Sequence, residues 1–116
     1  MKKILLIALL TSSIFANESF VKNKEYTCLN THNIKQGQQF NVDEKEAIKK
    51  PFIFSIKENQ LITKENIVFD FKMSRGPMSS YSNSEYMLLL TPDMGLGLVP
   101  RKAKGSIQFY FTCKSK

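Results

Sequence analysis

Apolar and polar positions alternate along much of the chain. Apolar side chains occupy every second position in three stretches, 52–57, 67–72 and 107–114. A period of two is typical of strands that turn one face to a core and the other to water. Turn-forming Gly, Pro, Asn and Asp residues separate the apolar stretches at short intervals. The pattern predicts an all-β domain, a small antiparallel β-barrel or sandwich of about seven or eight short strands.

Two stretches depart from strict alternation. Residues 42–50 (VDEKEAIKK) have the composition of a short helix, with Asp43 as a candidate N-cap and Pro51 to end it. Residues 86–90 (YMLLL) are apolar at every position. That run predicts either a central strand covered on both sides or a strand whose outer face meets a partner. We prefer the first alternative, because such residues are common in cores.

The first residues of the chain resemble an export signal. Lys2 and Lys3 form a basic start, residues 4–10 are apolar, and Ala16 offers a small residue for cleavage. The apolar run is far shorter than the ~20 residues of a membrane span. We expect a signal peptide over 1–16, a single domain over 17–116 and no stable membrane insertion after cleavage. The alternative is a short N-terminal helix of the mature fold.

Two cysteines, Cys28 and Cys113, lie near the two ends of the expected domain. In an exported chain they most simply form one disulfide. The chain-entropy model assigns roughly 4–5 kcal/mol to such a long closed loop, as an upper figure. A metal or redox pair is the other interpretation, but the Cys-x-x-Cys spacing typical of it is missing.

The chain is basic, with a formal net charge of +7 that falls to +5 when residues 1–16 are removed. Most lysines are scattered, and one cluster, Arg101-Lys102-Ala103-Lys104, stands out. Such a patch suits an anionic partner: cell-wall polymer, lipid headgroup or an acidic protein face. Nucleic acid is not expected, since basic and aromatic residues do not interleave. The expected location is the bacterial periplasm, with secretion as the alternative.

Catalytic and metal-binding patterns are weak. His32 is the one histidine of the sequence and lies among polar residues. No Gly-x-Ser-x-Gly motif accompanies it. We therefore expect neither enzyme activity nor a bound metal or cofactor. Met73 and Met78 leave a Cu(I) site open, although methionines more often fill gaps near strand ends.

Residues 73–84 are predicted to form a long polar loop between two apolar runs. Loops of this length are often functional or disordered. Arg75 offers a planar charge, Ser79 and Ser80 offer hydroxyls, and Tyr81 offers a stiff amphipathic contact. The sequence therefore indicates a partner-binding loop. The alternative is a flexible surface loop with Tyr81 folded back onto the barrel.

The motifs Tyr26-Thr27-Cys28, Ser79-Ser80-Tyr81, Lys104-Gly105 and Cys113 occur in that order. In this the chain resembles the periplasmic or membrane-bound inhibitors of C-type lysozyme. The resemblance implies a small β-barrel in which Ser79 or Ser80, together with Lys104, enters the lysozyme cleft and meets its catalytic carboxylates. The chain departs from the family in having no tryptophan and in carrying Gly76-Pro77 before the serines.

The sequence thus predicts an exported, non-catalytic binding protein. Its partner-binding residues are expected to be Arg75, Ser79, Ser80, Tyr81 and Lys104, and lysozyme is the most specific partner suggested. The alternative is a small-molecule or lipid carrier with its ligand inside the barrel. The nine phenylalanines favour a filled interior over that alternative.

Overall fold

A computed structural model of the chain describes residues 20–115. The expected signal peptide, 1–16, lies outside the described residues. The strands in chain order are β1 (Glu25–Lys35), β2 (Gln38–Asn41), β3 (Phe52–Lys57), β4 (Gln60–Thr63), β5 (Val68–Arg75), β6 (Met78–Ser82), β7 (Tyr86–Leu90), β8 (Gly95–Pro100) and β9 (Ile107–Ser115). One α-helix, α1 (Glu44–Lys49), and a 3-10 turn (Arg101–Ala103) complete the described elements. Within residues 20–115, no helix is long and apolar enough to cross a membrane.

Eight of these strands close into an antiparallel barrel. Every neighbouring pair is antiparallel, from β3 round to β9, and β1 pairs with both β3 and β9 to complete the ring. The extra strand, β2, pairs with β1 alone. The predicted all-β antiparallel fold is therefore confirmed, in its barrel form.

Strand β1 is long enough to serve two partners on one side. Its first part, 25–28, pairs with β3, and its last part, 32–35, pairs with β2. A bulge at Asn30/His32 interrupts the pairing with β9. The Asn30 side-chain amide donates to the Tyr110 carbonyl at 2.8 Å and to Asn33 Oδ1 at 2.9 Å, which supplies local partners at the irregularity.

One hydrophobic cluster occupies most of the barrel interior. Its fully buried aromatic residues are Tyr26, Phe54 and Phe69. Phe20 closes the barrel end beside them, with its ring 4.9 Å from that of Tyr26 and 5.7 Å from that of Phe54. The remaining buried members are Cys28, Ile56, Leu61, Tyr81, Leu88, Leu90, Leu96 and Cys113.

The predicted disulfide is present. Cys28 and Cys113 are directly paired residues of β1 and β9, and their sulfurs are bonded inside the core. The bond joins the first and last strands across a separation of 85 residues. It therefore covalently links the two strands, β1 and β9, whose pairing closes the barrel; we call this pairing the seam.

The predicted helix is also present, as α1. Asp43 occupies its N-cap position, but its side chain makes no capping hydrogen bond. The Asp43 backbone carbonyl instead accepts the Ala47 N–H at 3.0 Å. Ala47 is buried against the barrel, and Pro51 follows the helix before β3 begins. Helix α1 therefore crosses from β2 to β3 over the outside of the barrel.

Strand direction defines two ends. The lower end carries residue 20, the turns at 58–59 and 76–77, and the connection 91–94. The upper end carries the turn at 36–37 and the connections 64–67, 83–85 and 101–106.

Candidate functional site

Residues 73–84, predicted to be a long loop, form mainly a β-hairpin, so that prediction is wrong. Strand β5 continues to Arg75 and β6 begins at Met78, which leaves Gly76 and Pro77 as the whole connection. Gly76 has φ of 61°. A glycine at positive φ followed by a residue of fixed negative φ is the Gly-X pattern of a tight two-residue hairpin turn.

Tyr81 lies inside the barrel. Its side chain is 6% exposed, and its ring meets that of Phe71 edge-on with centroids 5.5 Å apart. Its cross-strand neighbour, Leu88, is also buried in the core. Burial raises the pKa of the Tyr81 phenol above its ordinary value, because desolvation disfavours the phenolate. The expectation of an exposed partner contact at Tyr81 is therefore wrong.

The other residues predicted on this stretch lie toward the lower end. Arg75 is exposed beside the hairpin turn. Ser79 lines a cavity of about 200 Å³ together with Tyr81 and Phe20. Ser80 points to the opposite face of β6, and its hydroxyl donates to the Met73 carbonyl at 3.5 Å.

Lys104 lies at the upper end, in the connection from β8 to β9, which we call the basic loop (residues 101–106). The Lys104 N–H donates to the Arg101 carbonyl at 3.1 Å. Ser106 donates to the Ala103 carbonyl twice, from its N–H at 2.9 Å and from its hydroxyl at 2.7 Å. These bonds make the basic loop a compact, internally hydrogen-bonded turn.

Both flanking connections hold the basic loop in place. The Arg101 N–H donates to the Glu85 carbonyl at 2.9 Å, and Arg101 Nε donates to the Asn83 carbonyl at 2.8 Å. On the other side, the Gln36 N–H donates to the Ser106 carbonyl at 2.8 Å. The basic loop is therefore anchored to the 83–85 connection and to the β1–β2 turn.

The backbone of Lys104 adopts the left-handed conformation, with φ of 51° and ψ of 39°. A non-glycine residue pays on the order of 1 kcal/mol for that conformation. The hydrogen bonds around Lys104 enforce it, and the side chain is left exposed. The cation is therefore presented on a backbone that is already ordered.

Four cations gather around this loop: Lys35, Arg101, Lys102 and Lys104, which we call the basic surface. All four are exposed. Lys35 joins the group because it pairs with Ile107 across β1 and β9. Within residues 20–115, none of the four has a carboxylate at ion-pair distance. The sequence indicated the cluster at 101–104 but not Lys35, since only the β1–β9 pairing brings it there.

The structure separates the two halves of the site that the resemblance implies. Ser79 and Ser80 lie near the start of β6, close to the lower-end turn. Lys104 lies beyond the upper end of β8, in a loop bonded to the far end of β6 through Asn83. If the upper end of the barrel enters the cleft of a partner, Lys104 therefore enters it without these serines.

The methionine and histidine candidates do not converge. His32 lies in β1, stacked on Tyr110 with ring centroids 4.8 Å apart. Strands β3 and β4 separate β1 from the hairpin that carries Met73 and Met78. Among residues 20–115, no group of three or more His, Cys, Asp and Glu side chains is placed to hold a metal. The Cu(I) hypothesis gains no support from this arrangement.

Strand β7 is apolar on both faces but is covered on only one. Leu88 and Leu90 are buried, whereas Met87 is 51% exposed and Leu89 is 37% exposed. The preferred prediction, a strand covered on both sides, is therefore wrong. Its alternative, an outer face that meets a partner, stays a hypothesis.

The carrier hypothesis needs space within the barrel, where a cavity of about 200 Å³ lies at the lower end beside Phe20, Ile56, Tyr81 and Leu90 of the core. This volume is below the range of roughly 300–1,000 Å³ typical of small-ligand sites. A larger cavity, of about 620 Å³, lies outside the barrel, beneath α1. The space at the lower end of the barrel is therefore small for a carried ligand.

Comparison of the chain with models of protein families, with curated protein sequences and with solved structures finds no match.

Proposed function

We propose that this chain is an exported, non-catalytic binding protein of the bacterial periplasm. In this proposal the basic surface at the upper end holds a protein partner that presents carboxylates. The observation that carries it is the exposed Lys104 cation on a loop fixed by hydrogen bonds to both neighbouring connections. The disulfide agrees with export, because such bonds persist in oxidising compartments.

The physical argument rests on the preorganisation of the basic loop and on lysines that lack an ion-pair partner. Ordering a flexible loop on binding costs conformational entropy, and a loop that is already ordered avoids much of that cost. A charge-assisted hydrogen bond to a carboxylate is stronger than a neutral one. Lys35, Lys102 and Lys104 have no ion-pair partner among the described residues, so a partner carboxylate need not displace an existing ion pair at these sites.

The most specific version of the proposal is inhibition of a C-type lysozyme, which the motif resemblance implies. Such an enzyme carries paired catalytic carboxylates in a cleft, and Lys104 is the residue we assign to them. Ser79 and Ser80 are not part of this contact, since they lie toward the other barrel end.

The test is lysis of bacterial cell walls by a C-type lysozyme with and without the purified, oxidised domain. We expect inhibition by the unmodified domain. Lys104→Asn should weaken it at least tenfold, because loss of a desolvated charge pair costs several kcal/mol. Asparagine tolerates the left-handed backbone, so the loop should keep its shape.

Matched controls separate the cation from general effects. The double variant Ser79→Ala/Ser80→Ala and the lower-end variant Lys57→Asn should inhibit like the unmodified domain. If the serine variant loses inhibition, the assignment to the upper end is wrong. Absence of inhibition by a large molar excess of the unmodified domain would exclude lysozyme as the partner.

A further inference from the structure

A groove of about 620 Å³ lies on the outside of the barrel, between α1 and the outer faces of β1 and β9. This volume is within the range of roughly 300–1,000 Å³ typical of small-ligand sites. The groove is separate from the basic surface, and its lining includes none of the basic-surface residues.

The wall that α1 and its flanks supply is apolar. The residues that form it are Val42, Ala47, Ile48 and Pro51, and Leu29 of β1 adds a further apolar side chain from the barrel side. The floor adds hydroxyls from Thr27 and Thr112, and from Thr31, whose hydroxyl also donates to the Tyr110 carbonyl at 3.3 Å. An apolar wall with a few hydrogen-bonding groups suits a ligand that has both apolar side groups and polar backbone groups.

Two opposite charges line the groove, and they belong to its two ends. Lys114 is paired with Thr27 in the β1–β9 register. Glu44 begins α1 two residues after Val42, whose N–H donates to the Thr31 carbonyl at 3.0 Å. Neither Glu44 nor Lys114 has an ion-pair partner within residues 20–115. The cation thus marks the Thr27 end and the carboxylate marks the Thr31 end.

The length between these ends matches a short extended chain. Thr31 lies four positions after Thr27 in β1, which is at most about 13 Å at ~3.3 Å per residue, because the bulge at Asn30/His32 shortens the rise. An extended peptide has the same rise, so about three or four of its residues span the groove.

From the paired charges, the spacing and the apolar wall, we propose that the groove binds a short apolar peptide with free termini. Lys114 pairs with the C-terminal carboxylate, and Glu44 pairs with the N-terminal ammonium. The apolar side chains of the peptide pack on Leu29, Ala47 and Ile48. A fatty-acid-like ligand would use Lys114 and leave Glu44 facing its tail, which is why we prefer a ligand charged at both ends.

The test is calorimetric titration of the purified domain with the tetrapeptide Ala-Leu-Ala-Leu in four forms: free, N-acetylated, C-amidated and blocked at both ends. We expect the free peptide to bind most tightly, and each block to weaken binding by about twofold to fivefold, because both charged side chains are exposed. Lys114→Gln should abolish the effect of amidation and keep that of acetylation. Glu44→Gln should do the reverse.

The matched controls are Lys45→Gln and Glu46→Gln, which change charges of α1 that do not line the groove. In both variants, N-acetylation and C-amidation of the peptide should still weaken binding. The proposal is overturned if the blocked peptide binds as tightly as the free one. It is also overturned if amidation still weakens binding to Lys114→Gln and acetylation still weakens binding to Glu44→Gln. It is also overturned if peptides fail to bind while decanoate binds in a manner that depends on Lys114 alone.

Lysozyme inhibition and peptide binding report on different surfaces. Lys104→Asn should leave the peptide titration unchanged, and Glu44→Gln should leave the lysis assay unchanged. The failure of one proposal therefore does not affect the other.

Discussion

Tyr81 shows how much the environment of one residue changes its chemistry. On an exposed loop its phenol would be a contact group, whereas inside the barrel it is a core ring with a raised pKa. The neighbouring Ser79 and Ser80 take opposite faces of β6, because successive side chains of a strand alternate. The same short sequence therefore supplies a core residue, a cavity-lining hydroxyl and a surface hydroxyl.

The raised pKa of Tyr81 predicts an alkaline effect on stability. The unfolded chain ionises this phenol near its ordinary pKa of about 10, while the folded chain resists ionisation to a higher pH. The contribution of Tyr81 is therefore fully present below about pH 10 and falls as the pH rises through the folded pKa.

Tyr81→Phe cannot ionise and should lose less stability in this range. We expect the difference in melting temperature between variant and parent to move in favour of Tyr81→Phe as the pH rises from about 9 to about 11. A constant difference across that range would show that Tyr81 ionises equally in both states.

At the scale of the element, β7 shows that an apolar strand need not be buried on both faces. All of its central residues are apolar, yet only Leu88 and Leu90 belong to the core. Met87 and Leu89 lie on the outer face, where Leu89 is paired with the half-buried Ser80 of β6, which in turn is paired with the exposed Met73 of β5. The strand is stabilised from one side, so its two faces should respond differently to charge.

Leu88→Lys should unfold the domain or cost at least about 4 kcal/mol, since it buries an unpaired ammonium. Leu89→Lys, one position along, should change the free energy of unfolding by less than about 1 kcal/mol. Urea denaturation followed by circular dichroism measures both. Equal losses in the two variants would place Leu89 in a buried interface as well.

At the scale of the whole molecule, the barrel depends on one seam. Strands β1 and β9 come from opposite ends of the described chain, and the Cys28–Cys113 bond holds them in register. Closing so long a loop costs entropy in folding, and the disulfide removes much of that cost from the unfolded state.

Reduction of the disulfide should lower the free energy of unfolding by up to about 4–5 kcal/mol. Urea titration with and without a phosphine reductant measures the change, and Cys28→Ala/Cys113→Ala provides a second measurement without reductant. Coincident unfolding midpoints in the oxidised and reduced forms would show that the seam is stable without the bond.

Several elements were predictable because their information is local. Alternation predicted β3 and β9, and the composition of 42–50 predicted α1. The disulfide was predicted because an exported chain with two cysteines most simply joins them. Strand β6 was missed because three of its five residues are serines, which also favour turns. Its formation depends on the Gly76-Pro77 turn and on pairing with β5 and β7.

The candidate site was also only partly predictable from the sequence. Lys104 and its neighbours at 101–104 were evident as a basic cluster, whereas the contribution of Lys35 needed the β1–β9 pairing. The groove beneath α1 was invisible in the sequence, because Glu44 and Lys114 lie far apart in the chain. Their placement along one groove depends on the path of α1 across β1 and on the register of β9.

By itself, the sequence determined the class of fold, the main strands, the short helix and the cysteine pair, because periodicity, turn chemistry and residue type act over a few neighbouring positions. Only the tertiary structure decided that Tyr81 is buried, that the serines and Lys104 lie toward opposite ends, and that Met87 and Leu89 are exposed. The physical reason is that burial and proximity depend on closure of the barrel, which pairs residues that are distant along the chain.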